Sequence, residues 1–300
     1  MAVSVCADAP PLARLRAADY LELTKPRIAV LVLVTVGVGA LLAAGRSVDV
    51  ALLFHAVVGT ALVASGASAL NQLIERARDG RMRRTENRPL PAGRLQPFEV
   101  LVFGLFLAAA GLAYLVLALP TITAAVVAGV TLVGYVAVYT PLKPVTTLNT
   151  MVGAIPGALP PVIGWSAVRG EIGMEAWALF AILFVWQLPH FLAIAWIYRA
   201  DYARAGYRMV PVVDPDGRRT ARQMAVYCVL LLAVSLAPVF LGHAHWLYGA
   251  GAVLLGLGFF ARALAFGAER NDRQARKVLR ASLLYLPGVL ALLLLDRMLF

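Results

Sequence analysis

Apolar residues gather into nine stretches along this chain, at about 28–45, 51–72, 98–118, 121–139, 148–167, 175–197, 223–242, 246–266 and 279–298, with short polar segments between them. A bilayer core takes roughly 20 helical residues, so each stretch predicts a membrane-crossing helix. The first, third and seventh are the plainest. Only Leu119-Pro120-Thr121 separates the third from the fourth, and the fifth holds Pro156, Gly157, Pro160 and Pro161, which predict a break or kink. The two longest inner polar segments, 76–97 and 198–222, are four spans apart. The expected fold is therefore all-α and integral to the membrane. Its nine transmembrane helices would form two pseudo-repeated four-helix halves plus a ninth helix. Residues 1–300 are read as one integral-membrane domain, with 1–23 an N-terminal cytoplasmic segment.

Composition agrees with the pattern. Hydrophobic residues make up 61% and charged residues 14%, with a mean hydropathy of +0.80, which excludes an ordinary soluble domain. The net charge of +11 raises the question of nucleic acid, but the placement of the charge answers it. With the N-terminus in the cytoplasm, 24 of the 27 lysines and arginines lie on the inner side, leaving Arg46, Arg169 and Arg297 outside. That is the positive-inside bias of a membrane protein, so no nucleic-acid partner is expected, and the C-terminus falls outside. Cys6 and Cys228 are too few for a disulfide framework or a metal cluster. The first 23 residues hold Asp8, Asp19 and Glu22 without a cleavable apolar core, so no signal peptide is expected. A bacterial inner membrane is the simplest placement.

The chemistry concentrates where the second span meets the first long inner loop. Asn71, Glu75 and Asp79 are spaced by four, which puts them on one helix face, and seven arginines lie between 71 and 94. One reading is a solvated helix end with a topology-setting basic loop. The other is a Mg2+ site for a diphosphate, since hard cations take oxygen ligands and Mg2+ shares its shell with substrate phosphates. Asn71 and Gln72 favour the second, because polar side chains inside an apolar segment are costly. Further on, Gln187, Pro189 and His190 sit inside the sixth span, and Asp201 follows eleven residues after His190, about three turns along a continuous helix. His190 reads either as a packed core histidine or as a site residue. Lys25, Arg27 and Lys143 read either as snorkelling topology residues or as anion-binding groups. His55, His243 and His245 read as structural.

The stretch Asn71 to Arg94, NQLIERARDGRMRRTENRPLPAGR, resembles the first signature of the UbiA superfamily of intramembrane prenyltransferases, in particular the branch that farnesylates protohaem. Thr24-Lys-Pro-Arg27, Tyr139-Thr-Pro-Leu-Lys143, Trp186-Gln-Leu-Pro-His190-Phe191 and the segment Asp201–Val213 match in order. Glu75 and the Arg84-Thr85 element distinguish the haem branch from relatives with aspartate at the first position. One departure stands out: Asp201 has Ile197 four residues before it and Ala205 four after, so the second aspartate pair of many superfamily members is reduced.

The resemblance implies farnesyl diphosphate and haem b as substrates, haem O as product, Mg2+ as cofactor and the lipid bilayer as surroundings. It implies Asn71, Glu75, Asp79 and Asp201 as metal-binding and catalytic residues on the cytoplasmic side. Arg84 and Arg88, with Lys143, would neutralise the departing pyrophosphate. Lys25, Arg27, Lys143, Gln187, His190 and Arg208 would bind substrate, with basic groups on the haem propionates and His190 a candidate iron ligand. Haem A synthase or a terminal oxidase assembly is an expected downstream partner. Two other readings stay open on the residues: a prenyltransferase acting on an aromatic or quinone-precursor acceptor, and a multi-pass organic-anion transporter.

Overall fold

A computed structural model describes residues 12–45 and 47–300. Cys6, Asp8 and Arg46 lie outside the described residues. After a short helix α1 (Leu12–Leu23), the chain runs through α2 (Pro26–Ala44), α3 (Val50–Asp79), α4 (Pro97–Ala118) and α5 (Thr123–Val133). A π-helical turn, Gly134–Tyr139, leads from α5 into α6 (Thr140–Leu142). Then come α7 (Asn149–Ala158), α8 (Pro160–Arg169), α9 (Met174–Ile197), α10 (Arg199–Arg204), α11 (Val210–Val213), α12 (Arg218–Ser235), α13 (Ala237–Phe240), α14 (Trp246–Glu269) and α15 (Asp272–Leu299). Among the described residues, nine helical stretches are long and apolar enough to cross a membrane, counting α5–α6, α7–α8 and α12–α13 as one each. The chain is a multi-pass membrane protein. Its outward side chains are correspondingly apolar: Leu117 is 85% and Phe240 83% exposed, which water would penalise and lipid does not.

Local chemistry sets the ends of these helices. Asp49 caps α3, its Oδ1 accepting from Ala51 N at 2.9 Å and Leu52 N at 3.2 Å. Gln96 and Glu99 form a capping box on α4, with Gln96 N donating to Glu99 Oε2 at 3.1 Å. Asn271 caps α15, accepting from Gln274 N at 2.9 Å. The fifth span is broken as its prolines predict, with α7 ending at Ala158 and Pro160 opening α8. Two small residues let its second half pack closely. A Cβ on Gly164 would overlap the Val36 carbonyl, and one on Gly39 the Pro161 carbonyl, so α2 and α8 meet backbone to backbone.

One expectation is corrected, at the end of α9. The apolar run read to about residue 72 lies in a longer helix, α3, which continues to Asp79 as the spacing of Asn71, Glu75 and Asp79 predicts. At 30 residues it is about 45 Å long, more than the hydrocarbon thickness, so part of it extends beyond the apolar layer. The helix carrying His190 stops at Ile197, and Tyr198 turns the chain before α10, so His190 and Asp201 do not share one helical face.

Packing arranges the helices around one end where the chemistry lies. α3 packs on α4 and α2, α8 on α2, α9 on α12, α15 and α7, and α15 on α14 while touching α2. The long inner segments meet there too. Met82 packs with Ala195, Ala205, Tyr207 and Met209, and Arg84 lies over the rings of Tyr198 at 5.1 Å and Tyr202 at 5.9 Å.

Candidate active site

Asn71, Glu75 and Asp79 descend the last two turns of α3, and all three are buried. Buried polar groups need partners, and each finds a cation from a different part of the chain. Lys25 Nζ donates to Asn71 Oδ1 at 3.1 Å. Lys143 Nζ donates to Glu75 Oε1 at 2.5 Å. Arg88 Nη1 donates to Asp79 Oδ2 at 2.6 Å. Asn71 also donates through Nδ2 to Thr140 Oγ1 at 3.0 Å, and Thr140 passes its own hydrogen to the Tyr135 carbonyl at 2.8 Å in the π-helical turn. Such turns are frequent at functional sites because the extra residue re-aims side chains.

The backbone is shaped to bring these groups in. Lys25 links α1 to α2 in the left-handed conformation, φ 49°, which is costly for a residue other than glycine. Pro26 then starts α2 at once. Lys143 is held by the Arg208 N–H, which donates to its carbonyl at 3.0 Å, and by Asn149 Nδ2, which donates to that carbonyl at 3.3 Å and to the Arg208 carbonyl at 3.1 Å.

Electrostatics separates the two lysines. Burial, reinforced by the charges of Arg88 and Lys143, pulls the Lys25 ammonium down to about 7. Burial acts against Lys143 as well, but Tyr139, Glu75 and Tyr135 outweigh it and hold Lys143 well above the ordinary lysine range. Its Nζ also sits 4.6 Å from the centroid of the Tyr139 ring.

Two buried atoms here lack a protein partner among the described residues: Asp79 Oδ1 and the Tyr207 hydroxyl. An unsatisfied buried carboxylate oxygen is expensive, and it is the kind of atom a divalent cation takes. No group of three or more His, Cys, Asp or Glu side chains gathers in metal-holding geometry among the described residues. The row nevertheless fits Mg2+ in its usual mode, one or two carboxylates completed by water and substrate phosphate. An open cleft of about 480 Å3 adjoins the row, its lining including Lys25, Arg27, Gln72 and Arg88.

The remaining candidates are dispersed. Arg84 faces the tyrosines of the second loop, as described. Asp201 pairs with Arg204, three residues on, and Arg204 Nε reaches the Arg81 carbonyl at 3.4 Å. The Arg208 side chain is exposed and donates to the Val145 carbonyl at 3.3 Å. Gln187 is engaged in packing, donating to the Leu183 carbonyl at 3.1 Å and the Ala154 carbonyl at 3.4 Å. His190 lies apart from the acidic row, against Ser282 and the ring of Trp186. Tyr207, Tyr139 and Thr140 were missed as site residues in the sequence. Tyr139 and Lys143 at i and i+4 in a short inner loop are the one local signal. Nothing near Tyr207 in sequence points to the site, which it reaches by packing with Met82 and Met209. The histidines read as structural are paired: His55 with Tyr114 at 2.7 Å, His243 with Glu175 at 3.3 Å and His245 with Asp296 at 3.1 Å.

A bundle of membrane helices with a buried acidic row and converging cations at one end defines a membrane-embedded protein built to handle an anionic group. The chain belongs to the UbiA prenyltransferase family, whose model matches residues 32–285. Among its relatives, a protein of Solibacter usitatus named protoheme IX farnesyltransferase is 49% identical over 288 residues, covering 93% of this chain and 98% of the relative. Solved structures share the fold. A digeranylgeranylglyceryl phosphate synthase superposes with a TM-score of 0.80 at 16% identity, over 95% of this chain and 99% of the other. A UbiA homologue from Archaeoglobus fulgidus, bound to DMAPP and Mg2+, gives 0.65 at 16% identity, over 92% of this chain and 99% of the other.

Proposed function

We propose that this protein transfers the farnesyl group of farnesyl diphosphate to a vinyl group of haem b, with hydration, to give haem O. The observation that carries the diphosphate half is the buried row Asn71–Glu75–Asp79, met by Lys25, Lys143 and Arg88 and leaving Asp79 Oδ1 unpartnered. The acceptor half is supported by the near-full-length relative of that name. Mg2+ held by Asn71, Glu75 and Asp79, with Asp201 as a fourth group from the facing loop, would offset the diphosphate charge as it does in this superfamily's expected chemistry.

The chain's own residues do the rest. Arg88, Lys143 and Lys25 present positive charge to the pyrophosphate as the bond from the farnesyl C1 to oxygen breaks, which stabilises the charge where it develops. Arg84, seated on Tyr198 and Tyr202, brings a further cation to the mouth of the site. The vinyl carbon then bonds to the allylic C1, and water captures the resulting cation and gives up a proton. The apolar helices exclude water from the allylic cation until that bond has formed. Arg27 and Arg208, with Lys25, are suited to the haem propionates, while Gln187 and His190 line the acceptor's side on α9. The bias of lysine and arginine supports a site on the cytoplasmic face of a bacterial inner membrane. Haem A synthase or a terminal oxidase assembly would receive the product.

The test is direct. Purified protein in detergent, incubated with haem b, farnesyl diphosphate and Mg2+, is expected to yield haem O by liquid chromatography and mass spectrometry, and Asp79→Ala is expected to abolish it. Folded protein that makes no haem O, but prenylates an aromatic acceptor, would replace haem as the substrate.

A further inference from the structure

Ten residues into α15, Ser282 makes a set of contacts that the diphosphate chemistry does not use. Its hydroxyl lies 2.7 Å from the Leu279 carbonyl and 2.7 Å from His190 Nδ1. A carbonyl can only accept, so the single hydroxyl hydrogen goes to Leu279. The Ser282 oxygen must then accept, and His190 Nδ1 carries the hydrogen that it donates. In the neutral ring, Nε2 is left as a bare lone pair. No described residue hydrogen-bonds Nε2.

The ring is fixed in its other directions as well. Trp186, one turn earlier on α9, stacks on it with centroids 4.8 Å apart and planes 26° apart. Trp186 is itself anchored, its Nε1 donating to the Ser282 carbonyl at 2.8 Å. His190 stands seven residues before the end of α9, about 10 Å inside the helix from the end that carries the acidic row. A ring tied through Nδ1 and offering Nε2 is the arrangement that metal-binding histidines use, since the outer hydrogen bond sets tautomer, orientation and basicity.

We infer that Ser282 is a positioning residue that locks His190 in its Nδ1–H tautomer, so that Nε2 meets the iron of the metalloporphyrin acceptor. The inference rests on the proposed haem reading and assigns Ser282 a role within it. Iron held this way orients the porphyrin with respect to the allylic carbon, so α9 and α15 set the acceptor while α3 sets the donor.

The experiment uses the full chain in detergent with ferric haem b, reading absorption and paramagnetic resonance spectra, haem affinity and binding of a non-hydrolysable farnesyl diphosphate analogue. His190→Gly is expected to lose the imidazole-ligand signature and to regain it with added imidazole. Ser282→Ala is expected to shift that signature and to weaken haem binding about 10- to 100-fold, with analogue binding unchanged. The Trp186 bond runs to the Ser282 backbone and survives the substitution. Ser282→Thr, which keeps the hydroxyl, is expected to restore both. A wild-type spectrum in Ser282→Ala would overturn the positioning role, and one in His190→Gly would overturn iron ligation itself. If the wild type makes haem O while these spectra stay unmoved, the inference fails alone. If the wild type neither binds nor farnesylates haem, the functional reading fails with it.

Discussion

Lys143 Nζ and Glu75 Oε1 lie 2.5 Å apart with both side chains largely buried, joining the inner end of α3 to the loop after α6. Removing one partner of a buried pair strands the other charge and typically costs about 3–5 kcal/mol. Lys143→Met is therefore expected to lower the unfolding temperature in detergent. The double variant Glu75→Gln with Lys143→Met is expected to regain much of the loss while remaining inactive. Thermal unfolding paired with the haem O assay checks both, and a double variant no more stable than the single would refute the coupling.

Asp79 is, among the described residues, the acidic residue with a buried oxygen that has no hydrogen-bond partner, so its charge should matter to turnover. Asp79→Asn keeps the size and an acceptor for Arg88. It leaves the Arg88 charge without its counter-charge, so it is expected to lower the unfolding temperature less than loss of the side chain would, and to lower kcat by about 10²-fold or more, the scale seen when one electrostatic group is lost from an active site. Steady-state kinetics across a Mg2+ series would decide, and activity above a tenth of the wild type would count against the assignment.

Lys25 titrates near pH 7 because burial and its cationic neighbours disfavour the ammonium. An anion binds the charged form, so the linkage runs one way. Diphosphate affinity is intact below 7 and falls as pH rises through it, by up to about tenfold per unit if Lys25 dominates. Binding of the analogue between pH 6 and 9 is expected to show this fall. Lys25→Arg, charged throughout, is expected to flatten it, and an identical slope in that variant would show that another group titrates.

The α2–α8 contact depends on two missing side chains. Gly164→Ala drives a methyl into the Val36 carbonyl, which is backbone and cannot rotate away. The expected cost is about 1–3 kcal/mol, read as a lower unfolding temperature, whereas Gly37→Ala on α2, where a Cβ meets nothing within 4 Å, serves as the silent control.

Periodicity was enough to place the nine helical stretches that, among the described residues, are long and apolar enough to cross a membrane, because lipid requires long apolar runs with internally satisfied backbones. The break in the fifth was equally local, since proline removes a donor wherever it falls. The Asn71–Glu75–Asp79 row was legible for the same reason, as spacing by four is a property of one helix. Which cation meets which acid was not legible: Lys25, Arg88 and Lys143 are 46, 9 and 68 residues from their partners, and only the packing of α2, α3 and α6 decides the pairing. The alignment of His190 with Asp201 failed at Tyr198, where α9 ends and the chain turns before α10. Ser282, 92 residues from His190, was silent in sequence, because a serine in a membrane helix usually bonds to its own backbone. Sequence determined what each helix is and where its polar groups lie, since those depend on neighbours along the chain. Tertiary structure decided which of those groups share a charge, a proton or a substrate, since that depends on distances that only packing sets.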